Sequence, residues 1–211
     1  MEDVLELYEE EYDPRYPTVC FDEKLVAPHA NVRPPQPPAA GHAERINYDY
    51  ERLGTAHLFF LVEPLAGWRH VEMTERRTRR DDAEPIRWLV DPLSPEAEYV
   101  RIVQDNLNTH TKASLDDVFP PEEARRILRR VEFHSPPKHA SWLMRAEIEI
   151  SIFQRACLSR RVESMDQLRT LINKVELARN RQHCTISWQF PTNDARDKLP
   201  HVYPDITTGA A

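Results

Sequence analysis

YPTVCFDEK, residues 16–24, is the stretch from which the rest of the chain is read. A short apolar, β-branched run that ends in charge is a strand, and it delivers Asp22 to the strand's far end behind Val19, Cys20 and Phe21. A carboxylate there either marks the wet end of the strand or is held in the sheet to bind something positive. A second stretch repeats the pattern: EYVRIVQD, residues 98–105, alternates toward Asp105, and Asn106, Asn108, Thr109 and His110 follow at once. In open α/β sheets ligands gather at the carboxyl ends of strands, so a strand that stops in a cluster of oxygen and nitrogen donors points to a site.

Outward from these two strands, residues 55–63 and 68–74 are apolar runs separated by Pro64, Leu65, Ala66 and Gly67, the signature of a hairpin. Residues 79–91 have helical character, with Pro85 expected to kink or shorten the helix. PEEARRILRR, residues 121–130, opens on proline and places acids before bases, as a helix dipole favours. Residues 131–134 form a short strand that His134 closes without a catalytic role. Ser141 is placed to cap a helix running through Leu158, and residues 166–182 give a last long helix. Residues 25–47, with Pro28, Pro34, Pro35, Pro37 and Pro38, read as a loop of a length common near functional sites. Residues 1–12 look like the end of an amphipathic helix with Val4, Leu5 and Tyr8 on one face, which implies a packing partner upstream. Strands followed by strand–helix alternation predict an α/β fold: a mixed sheet flanked by helices.

Composition bounds the function. With 40% hydrophobic and 30% charged residues, 211 residues build one sizeable core. The net charge of −7 argues against a surface that grips nucleic acid everywhere. The bases are nonetheless clustered at Arg76, Arg77, Arg79 and Arg80, at Arg125, Arg126, Arg129 and Arg130, and at Arg155, Arg160 and Arg161. Such runs are solvated helix faces or phosphate contacts. Three cysteines, Cys20, Cys157 and Cys184, have neither disulfide nor zinc spacing and read as reduced thiols. No signal peptide or membrane span is legible, so the expected location is the cytoplasm, with no membrane partner.

A third acid lies in SWLMRAEIEIS, residues 141–151. Leu143, Ala146, Ile150, Phe153 and Cys157 share a helix face that should pack on the sheet, and Glu147 and Glu149 flank that face on opposite sides. Periodicity does not choose between them. Two strand aspartates and a helix glutamate supply the hard oxygen ligands that Mg²⁺ prefers. Without a cation, three clustered carboxylates repel one another.

Taken together, YDPRYPTVCFDEK, YERLGTAHLFFLVEPLAGWRHVEMTERRT, YVRIVQDNLNTH and VEFHSPPKHASWLMRAEIE resemble, in order, the DDE transposases of bacterial insertion sequences related to the Tc/mariner superfamily. The resemblance runs from about residue 12 to the segment WQFPTNDAR. It implies an RNase H-like fold over 13–200, with 1–12 the remnant of an upstream linker helix and 201–211 a disordered tail. It also implies that Asp22, Asp105 and Glu147 are the catalytic carboxylates, and it is the resemblance that selects Glu147 over Glu149. They would bind two Mg²⁺ or Mn²⁺ ions, cut transposon ends and join them to target DNA, typically at a TA step, with a homodimer as the acting form. Asn106, His110, Lys138 and His139 stand beside them as DNA contacts or as supports of the carboxylates, or as solvated loop residues. Trp142 is expected to pack in the core or at the helix start, with stacking on a flipped base as the lesser alternative. Three departures matter: the family's N-terminal helix-turn-helix region does not precede this domain, Met144 and Ala140 stand where the family usually has Asn and Gly, and Pro85 interrupts a helix. They leave open an alternative, a truncated and impaired transposase remnant that at most contacts DNA or a transposase.

Overall fold

The computed structural model describes residues 1–34, 36–39, 41–43, 48–105, 112–137 and 140–199. β1 (Thr18–Val26) is the middle strand of a five-stranded sheet. On one side it pairs antiparallel with β4 (Ala56–Glu63), which pairs antiparallel with β5 (Trp68–Thr74). On the other it pairs parallel with β6 (Val100–Gln104), which pairs parallel with β7 (Val131–His134). The order is therefore β5-β4-β1-β6-β7, a mixed sheet as the strand pattern predicts.

Each face of the sheet carries its own core. Cys20, Leu58, Phe60, Val62, Val71, Met73 and Val103 point to one side, under α1 (Glu2–Glu9), α5 (Ala146–Phe153) and α6 (Met165–Arg181). Val19, Phe21, Phe59, Leu61 and Ile102 point to the other, against α2 (Arg79–Trp88), α3 (Lys112–Val118) and α4 (Pro121–Leu128). β4 is covered on both faces, which is why HLFFLV shows no alternation of apolar and polar residues.

β5 lies at the edge of the sheet, and α6 closes that edge with side chains. Asn180 accepts from the Arg69 amide at 2.9 Å and donates to the Arg69 carbonyl at 2.7 Å. Glu176 accepts from the Val71 amide at 3.0 Å, and Arg169 donates to the Met73 carbonyl at 3.2 Å. Alternate residues of the strand thus find partners along the helix, and most of the unpaired row that makes an edge sticky is satisfied.

Several elements differ from the sequence reading. α1 has its partner within this domain: Val4 and Leu5 are fully buried, and Leu7 and Tyr8 nearly so. Polar contacts fix its course, from Asp3 with His134 at the end of β7 (2.9 Å) to Glu10 with Arg101 in β6. Part of the proline-rich segment is not loop, because β2 (His29–Asn31) pairs antiparallel with β3 (Tyr50–Arg52). α2 passes through Pro85 and continues as a π turn, Leu89–Leu93. A capping box between Thr78 and Asp81 secures its start, and buried Ala83, Ile86, Leu89 and Val90 outweigh the one backbone hydrogen bond that proline removes. The helix expected over 141–158 is three pieces: a 3₁₀ turn (Ser141–Leu143), α5 and a π turn (Gln154–Leu158). Arg145, not Ser141, stands at the N-cap of α5, without a side-chain cap. The weak periodicity of α3 and of α7 (Thr192–Lys198) gave no signal in the sequence. Among the described residues no helix is long and apolar enough to cross a membrane.

Candidate active site

Asp22 is not at the end of its strand. β1 continues to Val26 along β4, with Asp22 opposite Phe60, while its pairing with β6 stops one residue earlier, at Phe21 and Gln104. The sheet therefore opens beside Asp22, where β6 gives out. Asp105 is the next residue after Gln104, so the parallel register carries the two aspartates to neighbouring positions. Strand alternation also puts them on one face. Cys20 and Val103 both belong to the core beneath α5, and Asp22 and Asp105 lie two residues further along their strands. Both are half-buried. An oxygen of Asp22 accepts from the Glu23 amide at 2.8 Å.

α5 meets that face as its apolar stripe requires: Leu143, Ala146 and Phe153 are fully buried, and Cys157 and Ile150 nearly so. The two flanking glutamates have opposite environments. Glu149 is fully buried, held by Arg69 of β5 at 3.0 Å and by both Nε (2.8 Å) and Nη2 (2.5 Å) of Arg179 of α6. Its oxygens are occupied by structural cations. Glu147 leaves the helix on the other flank with its side chain exposed. Among the described residues no three His, Cys, Asp or Glu side chains come close enough together to hold a metal ion. The donor set brought together is thus the Asp22–Asp105 pair. Two hard carboxylates suit a divalent cation that keeps several waters, as Mg²⁺ does, and Glu147 stands outside the pair.

Neighbouring residues prove to be structural. Glu23 faces the opposite core, with His57 Nδ1 2.6 Å from one oxygen and Arg77 Nε 2.8 Å from the other. That anchor inside the basic run 76–80 is one the sequence reading missed; only the alternation of β1, which sends Glu23 and Asp22 to opposite faces, could have signalled it. Arg79 pairs with Asp117, Arg126 is bidentate to Asp91 at 2.6 and 2.8 Å, and Arg161 binds Asn31 at 2.8 Å. Part of the clustered positive charge is therefore engaged within the fold.

Asn106, His110, Lys138 and His139 lie outside the described residues. Trp142 does not pack in the core: it is 45% exposed and meets Phe190 edge-on, ring centroids 5.6 Å apart. Met144 and Ala140, the departures near Glu147, are both buried in the α5-side core. Ala140 does not adopt the left-handed conformation that would demand glycine, because His183 is the one described non-glycine residue with positive φ.

The family model described as DDE superfamily endonuclease matches residues 17–169. Among solved structures, the chain is similar to the Mos1 transposase paired-end complex with left transposon end, at 14% identity and a TM-score of 0.57, over 87% of this chain and 56% of that one. The Mos1 strand transfer complex gives 14% identity and a TM-score of 0.59, over 87% of this chain and 54% of that one. The Mos1 mariner paired-end complex with Mn gives 14% and 0.57, over 87% and 55%. At this identity the likeness concerns the fold, which is RNase H-like, and the chain spans little more than half the length of these proteins. No curated protein matches the sequence.

Proposed function

This chain belongs to the DDE superfamily endonucleases, and from that premise we propose that it is a transposase catalytic domain of the bacterial insertion-sequence type that cleaves and joins DNA strands by in-line phosphoryl transfer. The observation that carries the reading is the juxtaposition of Asp22 and Asp105 on one face of adjacent strands, where the sheet opens. Asp22 and Asp105 would hold the divalent metal, Mg²⁺ or Mn²⁺, with Glu147 as the third ligand from the helix. Bound there, two such ions would activate the attacking oxygen and stabilise the leaving one. The protein's own part is to keep the two aspartates parallel through the β1–β6 register and to present the glutamate on a helix packed over β1 and β4. The substrates are transposon ends and target DNA, extended from the solved chains whose complexes contain a transposon end and a strand transfer product. A homodimer acting on paired ends belongs to the same reading.

A second reading, a remnant that contacts DNA without cutting it, is favoured by Glu147 standing outside the aspartate pair. One experiment separates the two. The purified chain is incubated with Mn²⁺ and short duplexes. The catalytic reading expects nicking that is lost in Asp22→Asn and in Asp105→Asn, and Mn²⁺-dependent thermal stabilisation that is lost with it. DNA binding without nicking and without metal stabilisation would establish the remnant.

A further inference from the structure

We propose that Arg145 is a positioning residue that ties the start of α5, and with it Glu147, to the strand that carries Asp22. The inference rests on the reading of those carboxylates as the active site. Arg145 is 1% exposed. No carboxylate among the described residues pairs with it, and its Nε finds no partner among them. The other fully buried arginine, Arg69, has Glu149. Arg145 is instead held by one carbonyl and two rings: Nη2 donates to the Tyr8 carbonyl at 3.1 Å, and the guanidinium lies 3.8 Å from the Tyr8 ring centroid and 5.5 Å from that of Trp188.

A buried cation without a counter-charge is costly, so its surroundings must be built around it. The knot here is closed. The Tyr8 hydroxyl meets Cys20 Sγ at 3.2 Å. Cys20 precedes Asp22 by two residues, and Arg145 precedes Glu147 by two. Arg145 therefore ties the beginning of α5 to α1 and to the segment around Trp188, and through the Tyr8 hydroxyl on Cys20 to β1, at the place where the two sources of carboxylate must keep their distance. α5 has no side-chain cap, so this contact does what a cap would do in fixing the helix start. The planar fork is what the place demands, because it stacks on a ring while donating in its own plane, and lysine does neither as well.

The test uses the full chain and four proteins: wild type, Arg145→Met, Arg145→Lys, and Phe153→Leu as a control that loosens the same helix two turns further on. Mn²⁺ affinity, kcat and KM for duplex nicking, and amide exchange of residues 144–148 are measured. Arg145→Met is expected to weaken Mn²⁺ binding about tenfold and to lower kcat on the order of 10- to 100-fold, with KM for DNA changed less than about twofold. Exchange at 144–148 rises, and Arg145→Lys recovers part of each loss. Phe153→Leu, compared at equal loss of Tm, leaves Mn²⁺ affinity within about twofold. Equal effects of Arg145→Met and Phe153→Leu on affinity and kcat overturn the proposal. A wild type that neither binds Mn²⁺ nor nicks DNA refutes the reading of the site, and exchange then decides the role of Arg145. A rise in Arg145→Met confined to 144–148 supports it, and a rise spread over the whole domain overturns it.

Discussion

Burial pushes the Glu63 carboxyl up to about 7 from the usual 4.5, and no cation among the described residues pairs with it. The residue closes β4, 9% exposed, and its Oε1 has no partner among the described residues. A carboxyl whose pKa is raised by folding favours the folded state fully below pH 4.5, and that contribution drains away as pH climbs to about 7. The loss amounts at most to something on the order of 3 kcal/mol. Urea unfolding of the wild type should therefore show stability falling between pH 4.5 and 7, and Glu63→Gln should flatten that slope; an unchanged slope would place it elsewhere. None of this was legible in the sequence, where Glu63 is simply the acid before a proline. The choice between Glu147 and Glu149 was illegible for a related reason. Helical periodicity places both at the rim of the stripe, and what separates them is Arg69 and Arg179, distant residues that only the folded chain brings to Glu149.

That same pairing binds elements together. Arg69 lies on β5, Glu149 on α5 and Arg179 on α6, so one buried carboxylate holds two helices and the edge strand. Arg69 also donates to the carbonyls of Gly67 (2.8 Å) and Cys184 (2.5 Å), and Gly67 is irreplaceable there, because a Cβ on it would come within 2.7 Å of the His183 backbone. Glu149→Gln leaves the buried Arg69 and the half-buried Arg179 short of a counter-charge and should cost roughly 3–5 kcal/mol, read from the urea midpoint, far above an ordinary surface change. An effect below about 1 kcal/mol would show that water reaches the arginines. Strand pattern made β1, the β4–β5 hairpin, β6 and β7 legible, because alternation and β-branching are local. The breaks around α5 were not legible. Its turn types are set by how the helix packs over β1 and β4, and no residue between 141 and 158 announces them.

At the scale of the whole molecule, the sheet order could be read only as a class, a mixed sheet with helices, because pairings between distant strands leave no mark in a single stretch. The candidate site follows the same rule: Asp22 and Asp105 were visible as strand-end aspartates, and their adjacency comes from the β1–β6 register. The family match ends at residue 169, four residues after α6 begins, whereas the groups that seal β5 sit at Arg169, Glu176 and Asn180. A protein cut at the matched boundary would keep the sheet and lose most of its lid. It should collect in the pellet on expression, whereas a chain ending at 199 stays in solution; a soluble monomeric 1–169 fragment would refute this. A bare seven-residue border backed by the apolar run of β4 is a seed for stacking one copy on the next. For this protein the smallest unit that can be handled in isolation is therefore decided by the need to deny neighbours a template, and it is longer than the span its family shares.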